Sequence, residues 1–231
     1  MTSSTAPDWA SQSLCSPIAI PYRAAQQEKP IKLGVLASGS GSNFEAIAQA
    51  IAQHHLEAQV AVLIYNNPQA KAAVRSQQHN IPAQLLNHRD YATREALDQA
   101  IVDVLRQHDV ELVVMAGWMR VVTPVLLEAF PHRVLNIHPS LLPSFKGIRA
   151  VEQAIAAKVK ITGCTAHWVV PEVDSGEILV QAAVPVLPED TAETLHARIQ
   201  VQEHRVIVAA IDRAISQIRG SVPNAVAAEK S

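Results

Sequence analysis

The sequence predicts an α/β domain: a doubly wound, mostly parallel sheet with helices on both faces and an antiparallel strand pair late in the chain. Two observations carry that prediction. Up to about Lys160, short apolar runs bounded by turn residues alternate with segments of helical periodicity, the pattern of strands buried on both faces between crossover helices. After Lys160 two longer apolar stretches follow, joined at Asp174-Ser175-Gly176, which reads as an antiparallel pair.

The elements follow in order. Ile31–Ala37 reads as a buried strand and Asn43–Gln53 as the helix after it. Gln59–Tyr65 is a second strand, closed by Asn66-Asn67-Pro68. A helix over Pro68–Gln78 leads to a short strand at Ala83–Leu86, and Ala92–Gln107 carries apolar residues at helical spacing. Strands at Glu111–Ala116 and Arg133–Ile137 flank a short helix at Pro124–Ala129. Ile161–Val170 and Glu177–Val186 form the late pair, and Thr191–Ile218 is a long helix with Thr191 as N-cap and Glu193 in its first turn.

Composition bounds the rest. A chain of 231 residues with 48% hydrophobic content suits one domain, placed here at 30–219. Residues 1–29 are rich in Ser, Ala, Pro and Gln without a cationic stretch before a long apolar one, so a flexible tail is expected rather than a secretory signal. Residues 220–231 read as a second tail. The net charge is −2 and the basic residues are scattered, which argues against a nucleic-acid surface. No apolar run approaches the ~20 residues that span a bilayer. Cys15 and Cys164 form neither a disulfide framework nor a metal-ligand pair. A reducing, cytoplasmic compartment and no metal are expected.

Two places carry chemistry. The first strand runs into Ala37-Ser-Gly-Ser-Gly-Ser-Asn43 and then a helix. Small residues let backbone approach a ligand, and a helix N-terminus offers N–H groups to an anion. A phosphate cradle is expected, with a capped tight turn as the structural alternative; a side chain added at Gly41 should then block the phosphate. Phe44 stands where a dinucleotide fingerprint has its third glycine, and Asn66 and Asn67 replace the acidic residue closing strand two. Neither a nicotinamide site nor a P-loop fits. The second place is Asn136-Ile-His138, at the end of a strand. Residues two apart face the same side, and Pro139 keeps His138 extended. An amide beside an imidazole can stabilise an oxyanion, shuttle a proton, or satisfy loop backbone. Asp174 lies in a turn, and spacing alone does not bring it to His138.

At these residues the sequence resembles the formyltransferase family, over roughly residues 32–218. The resemblance rests on Ser38-Gly-Ser-Gly-Ser-Asn43, Ala116-Gly-Trp-Met-Arg120, Asn136-Ile-His-Pro-Ser-Leu-Leu-Pro143, Asp174-Ser-Gly-Glu-Ile178 and Gln202-Glu-His204. It implies formyl transfer from 10-formyltetrahydrofolate to the amino group of glycinamide ribonucleotide. It implies a catalytic trio of Asn136, His138 and Asp174, and acceptor binding by Gly41, Ser42, Asn43 and Glu203. Formyl-folate is expected at Arg94, Met119, Arg120, Val121, Val122 and Asn136. Small molecules are the expected partners of a monomer or homodimer, without nucleic acid or membrane. The competing readings are a formyl-folate hydrolase and a non-catalytic phosphometabolite-binding protein. The loop Ser144–Arg149 receives no assignment.

Overall fold

The structure, a computed structural model, describes Cys15–Ser16 and residues 29–220. Its strands are β1 (Cys15–Ser16), β2 (Ile31–Ala37), β3 (Ala58–Tyr65), β4 (Ala83–Leu85), β5 (Leu112–Met115), β6 (Val134–His138), β7 (Ile161–Trp168) and β8 (Ile178–Pro185). Its helices are α1 (Ser42–Ala52), α2 (Ala72–Gln78), α3 (Arg94–Gln107), α4 (Pro124–Ala129), α5 (Ala150–Ala156) and α6 (Ala192–Ile218). They build one sheet in the order β1-β8-β7-β6-β5-β2-β3-β4. The five strands from β6 to β4 in that order pair parallel, and β7, β8 and β1 pair antiparallel.

Strand β2 sits near the centre because almost every residue in it is apolar and covered. Leu33, Val35 and Ala37 join the core shared with Phe44 and Ile47 of α1 and Leu195, Ile199 and Val206 of α6. Leu36 faces the other side, with Ile101 and Leu105 of α3 and Leu126 of α4. The period-two alternation of a strand thus feeds two cores, one per face. The expected fold class holds.

The differences lie at boundaries and in two short elements. α2 starts at Ala72 rather than at Pro68, and α3 starts at Arg94 because Thr93 accepts a hydrogen bond from Ala96 N–H as N-cap. Helix α5 was not expected. It is only seven residues long and begins after Arg149 in a left-handed conformation, without a capping side chain to announce it. Within the segment expected as an N-terminal tail, Cys15–Ser16 pairs with Gln181 and Ala182 at the sheet edge. The rest of that segment, and the C-terminal tail beyond Gly220, lie outside the described residues. No helix among the described residues is long and apolar enough to cross a membrane.

Candidate active site

Strand order reverses between β2 and β5, since β2 pairs β3 on one side and β5 on the other. Chains leaving such a switch point diverge and open the crevice where open α/β sheets bind ligands. Here it is a cleft of about 530 Å³, lined by the turn 38–43 after β2, the stretch 115–122 after β5, the end of β6, the 147–150 stretch, His167, the 169–174 region and Glu203. That size suits a small-molecule site.

The first wall is the turn. Ser38 N–H donates to the Gly117 carbonyl at 3.1 Å, and Met119 N–H donates to Ser38 Oγ at 2.9 Å, so the turn and the stretch after β5 are tied together. Gly41 sits at φ 69°, ψ 26° as N-cap of α1, a left-handed conformation that suits glycine. Its position leaves the first N–H groups of α1, which have no intrahelical acceptor, at the cleft. Asn43 is buried and donates Nδ2–H to Glu203 Oε2 at 3.1 Å, which leaves its buried carbonyl oxygen as an unused acceptor. Burial pushes the Glu203 carboxyl above its usual range, against the opposing bond from Asn43. Gln200, one turn earlier on α6, donates to Ser42 Oγ at 3.0 Å.

The second wall is β6 with its antiparallel neighbour. Leu135 and Ile137 enter the core, so Asn136 and His138 share the opposite face, as their spacing predicts. The register sets Asn136 opposite His167 and His138 opposite Thr165. His138 Nδ1 lies 3.4 Å from Asp174 Oδ2, and both side chains are only 8% exposed. The trio therefore meets despite its spread along the chain. His138 Nε2 is 2.8 Å from the Phe145 carbonyl. That acceptor fixes the proton on Nε2 and leaves Nδ1 facing the carboxylate.

His167 was missed by sequence reasoning. Its Nδ1–H donates to the Trp168 carbonyl at 2.8 Å, so its neutral form presents a bare Nε2, 3.2 Å from Asn136 Nδ2. The same Nε2 is 3.6 Å from Asp174 Oδ1. Burial alone would raise the Asp174 carboxyl pKa. The adjoining His167 ring, the Gly147 N–H at 2.8 Å and nearby His138 outweigh it and hold the group below its usual value. The loop left unassigned by sequence thus touches both partners, through Phe145 to His138 and through Gly147 to Asp174.

Every expected site residue but one lines this cleft. The exception is Arg94, exposed at the start of α3. One turn further on, Asp98 is buried and accepts from Thr123 N–H at 2.5 Å, pinning the end of the stretch after β5. Burial raises its pKa against that hydrogen bond.

The profile of the formyl transferase family matches residues 31–211. The chain belongs to the formyl transferase family. Among its relatives, a phosphoribosylglycinamide formyltransferase of Bacillus subtilis (strain 168) is 43% identical over 174 residues, 75% of this chain and 89% of that protein. The trifunctional purine biosynthetic protein adenosine-3 of Bos taurus is 39% identical over 185 residues, 80% of this chain but 18% of that larger protein. The crystal structure of glycinamide ribonucleotide transformylase 1 from Symbiobacterium toebii matches with a TM-score of 0.80 at 42% identity, covering 84% of this chain and 92% of that one. In this formyl transferase the cleft, the turn and the Asn136–His138–Asp174 cluster lie within the matched residues.

Proposed function

We propose that this formyl transferase moves the formyl group of 10-formyltetrahydrofolate to the amino group of glycinamide ribonucleotide, giving formylglycinamide ribonucleotide in purine synthesis. One observation carries the reading: the Asn136–His138–Asp174 cluster opens into the same cleft as the N-terminus of α1. A phosphorylated acceptor held at the turn would present its amine to the cluster. Gly41, Ser42 and Asn43 offer backbone N–H groups to the phosphate. Glu203, which lines the same cleft, would meet the amine part of the acceptor.

The stretch after β5 and its apolar neighbours in the same cleft fit formyl-folate. Met119 and Val121 are exposed at 74% and 47%, as are Ile148 and Val170 at 78% and 37%, giving apolar edges to a flat ring. Arg120 brings a cation for the carboxylate tail, and buried Val122 adds apolar lining. The folate supplies an activated formyl carbon. Asn136 and a protonated His138 donate to the oxygen on which negative charge develops. Because Phe145 holds Nε2, Nδ1 is the nitrogen that takes up and returns the proton. Asp174 stabilises that cation and accepts the proton the amine loses, directly or through water. His138 then protonates the departing amine through Nδ1 and regains its proton from Asp174. The reading carries with it a cytoplasmic enzyme, monomer or homodimer, acting on small molecules without a metal.

The test is to mix the protein with formyl-folate and follow deformylated folate by absorbance, with and without glycinamide ribonucleotide. Turnover that requires the ribonucleotide supports transfer. Equal turnover with water alone supports a hydrolase instead.

A further inference from the structure

Behind the turn, away from the cleft, lies a charged cluster that the proposed reaction leaves unused. Arg75 of α2 donates Nε–H to the Ser40 carbonyl at 2.9 Å and places Nη1 3.2 Å from Glu45 Oε2. Glu45 lies in the first turn of α1, and its other oxygen is 2.9 Å from His79 Nε2 and accepts from Gln49 Nε2 at 2.9 Å. The guanidinium side chain is 34% exposed and the carboxylate 19%. One planar fork thus spans the turn, from the residue before Gly41 to the helix after it.

The consequence follows from peptide geometry. In a planar trans peptide the C=O and the next N–H point in opposite directions. With the Ser40 carbonyl drawn toward Arg75, the Gly41 N–H is turned to the other side, where Ser40 and Gly41 line the cleft. The cation also polarises that peptide and strengthens its N–H as a donor to an anion. Helix α2 holds the same turn by backbone, since Ala72 N–H donates to the Gly39 carbonyl at 3.3 Å.

We infer that Arg75 is a positioning residue for the phosphate of the acceptor, acting through the Ser40–Gly41 peptide. The inference rests on the proposed reading of the turn as the phosphate site. Arg75 does not line the cleft; it aims and charges a donor that does.

The experiment compares glycinamide ribonucleotide with its dephosphorylated riboside as acceptors, in the full chain and in Arg75→Ala and Arg75→Lys. The wild type should prefer the phosphorylated acceptor. In Arg75→Ala that preference in kcat/KM should fall about tenfold or more, the scale of one lost charge-assisted hydrogen bond. The loss should appear as a raised KM for the ribonucleotide, with the KM for formyl-folate held and the riboside affected far less. Arg75→Lys keeps the stem and a charge but not the fork; it should fold normally and lose an intermediate share of the preference. A wild-type preference that survives in both variants, or an equal loss on both acceptors, overturns the inference alone. A wild type that uses both acceptors equally overturns the reading of the turn and this inference with it.

Discussion

Gly41 is the residue at which a single added carbon tells most. The sequence alone suggests that a side chain there would block the phosphate. The structure points it elsewhere: a Cβ on Gly41 would lie 2.8 Å from both Cα and Cβ of Ala72, with φ at +69°. The Gly41→Ala variant therefore strikes the backbone of α2, not the ligand. A left-handed conformation costs a residue with a Cβ roughly 1–2 kcal/mol, and an overpacked contact that must push a helix aside adds roughly 1–3 kcal/mol. The sum, roughly 2–5 kcal/mol, should lower Tm by roughly 4–20 °C in a chain of this size. Gly39→Ala is the control, because its Cβ would meet nothing within 4 Å and its φ lies outside the left-handed range; its stability should stay within about 0.5 kcal/mol. Thermal unfolding of the three proteins decides the matter. A Gly41→Ala variant melting within a degree of the Gly39→Ala control would refute the packing of α2 against the turn. Calorimetry should also show weaker glycinamide ribonucleotide binding to Gly41→Ala, because the displaced turn misaims its N–H groups.

Two further outcomes are expected. Asn136→Ala removes one donor to the developing oxyanion and should reduce kcat by about 10²–10³ while changing KM less; steady-state kinetics with near-normal kcat would take Asn136 out of the mechanism. Asp190 is held by Arg198 through contacts of 2.6 and 2.9 Å, and this pair depresses its carboxyl well below the usual range. A depressed acid stabilises the fold above its unfolded value near 4 and loses that contribution as pH falls below it. Asp190→Asn should thus be about 1 kcal/mol less stable than wild type at pH 7, with the gap shrinking under acid; equal gaps in denaturant titrations at pH 7 and pH 2.5 would contradict the pairing.

Much of the fold was legible because its signals are local. Apolar runs marked β2, β3 and β5, and Thr191 announced α6: it accepts from Thr194 N–H while Thr194 Oγ1 accepts from Thr191 N–H. The period of two in β6 was enough to set Asn136 and His138 on one face. What stayed hidden depends on register and on loop backbone. His167 reaches Asn136 only because β7 pairs β6 with those two residues opposite, and more than twenty residues of connection leave that register unspecified in the sequence. The Phe145 carbonyl and Gly147 N–H belong to the backbone, so no side-chain motif could name them. Asp174 was reached by resemblance, since nothing local brings a turn after β7 to the end of β6. Arg75 and Glu45 were invisible for the same reason: one lies on α2, the other on α1, and only the packing of those helices around the turn joins them.

The most direct measurement follows the transferred carbon itself. Formyl-folate labelled with ¹³C in the formyl group is incubated with the protein and glycinamide ribonucleotide, and the products are read by NMR. The label should appear in the formamide of the ribonucleotide, at a rate set by the enzyme and abolished without acceptor. Label recovered as free formate, with the ribonucleotide unmodified, would contradict it.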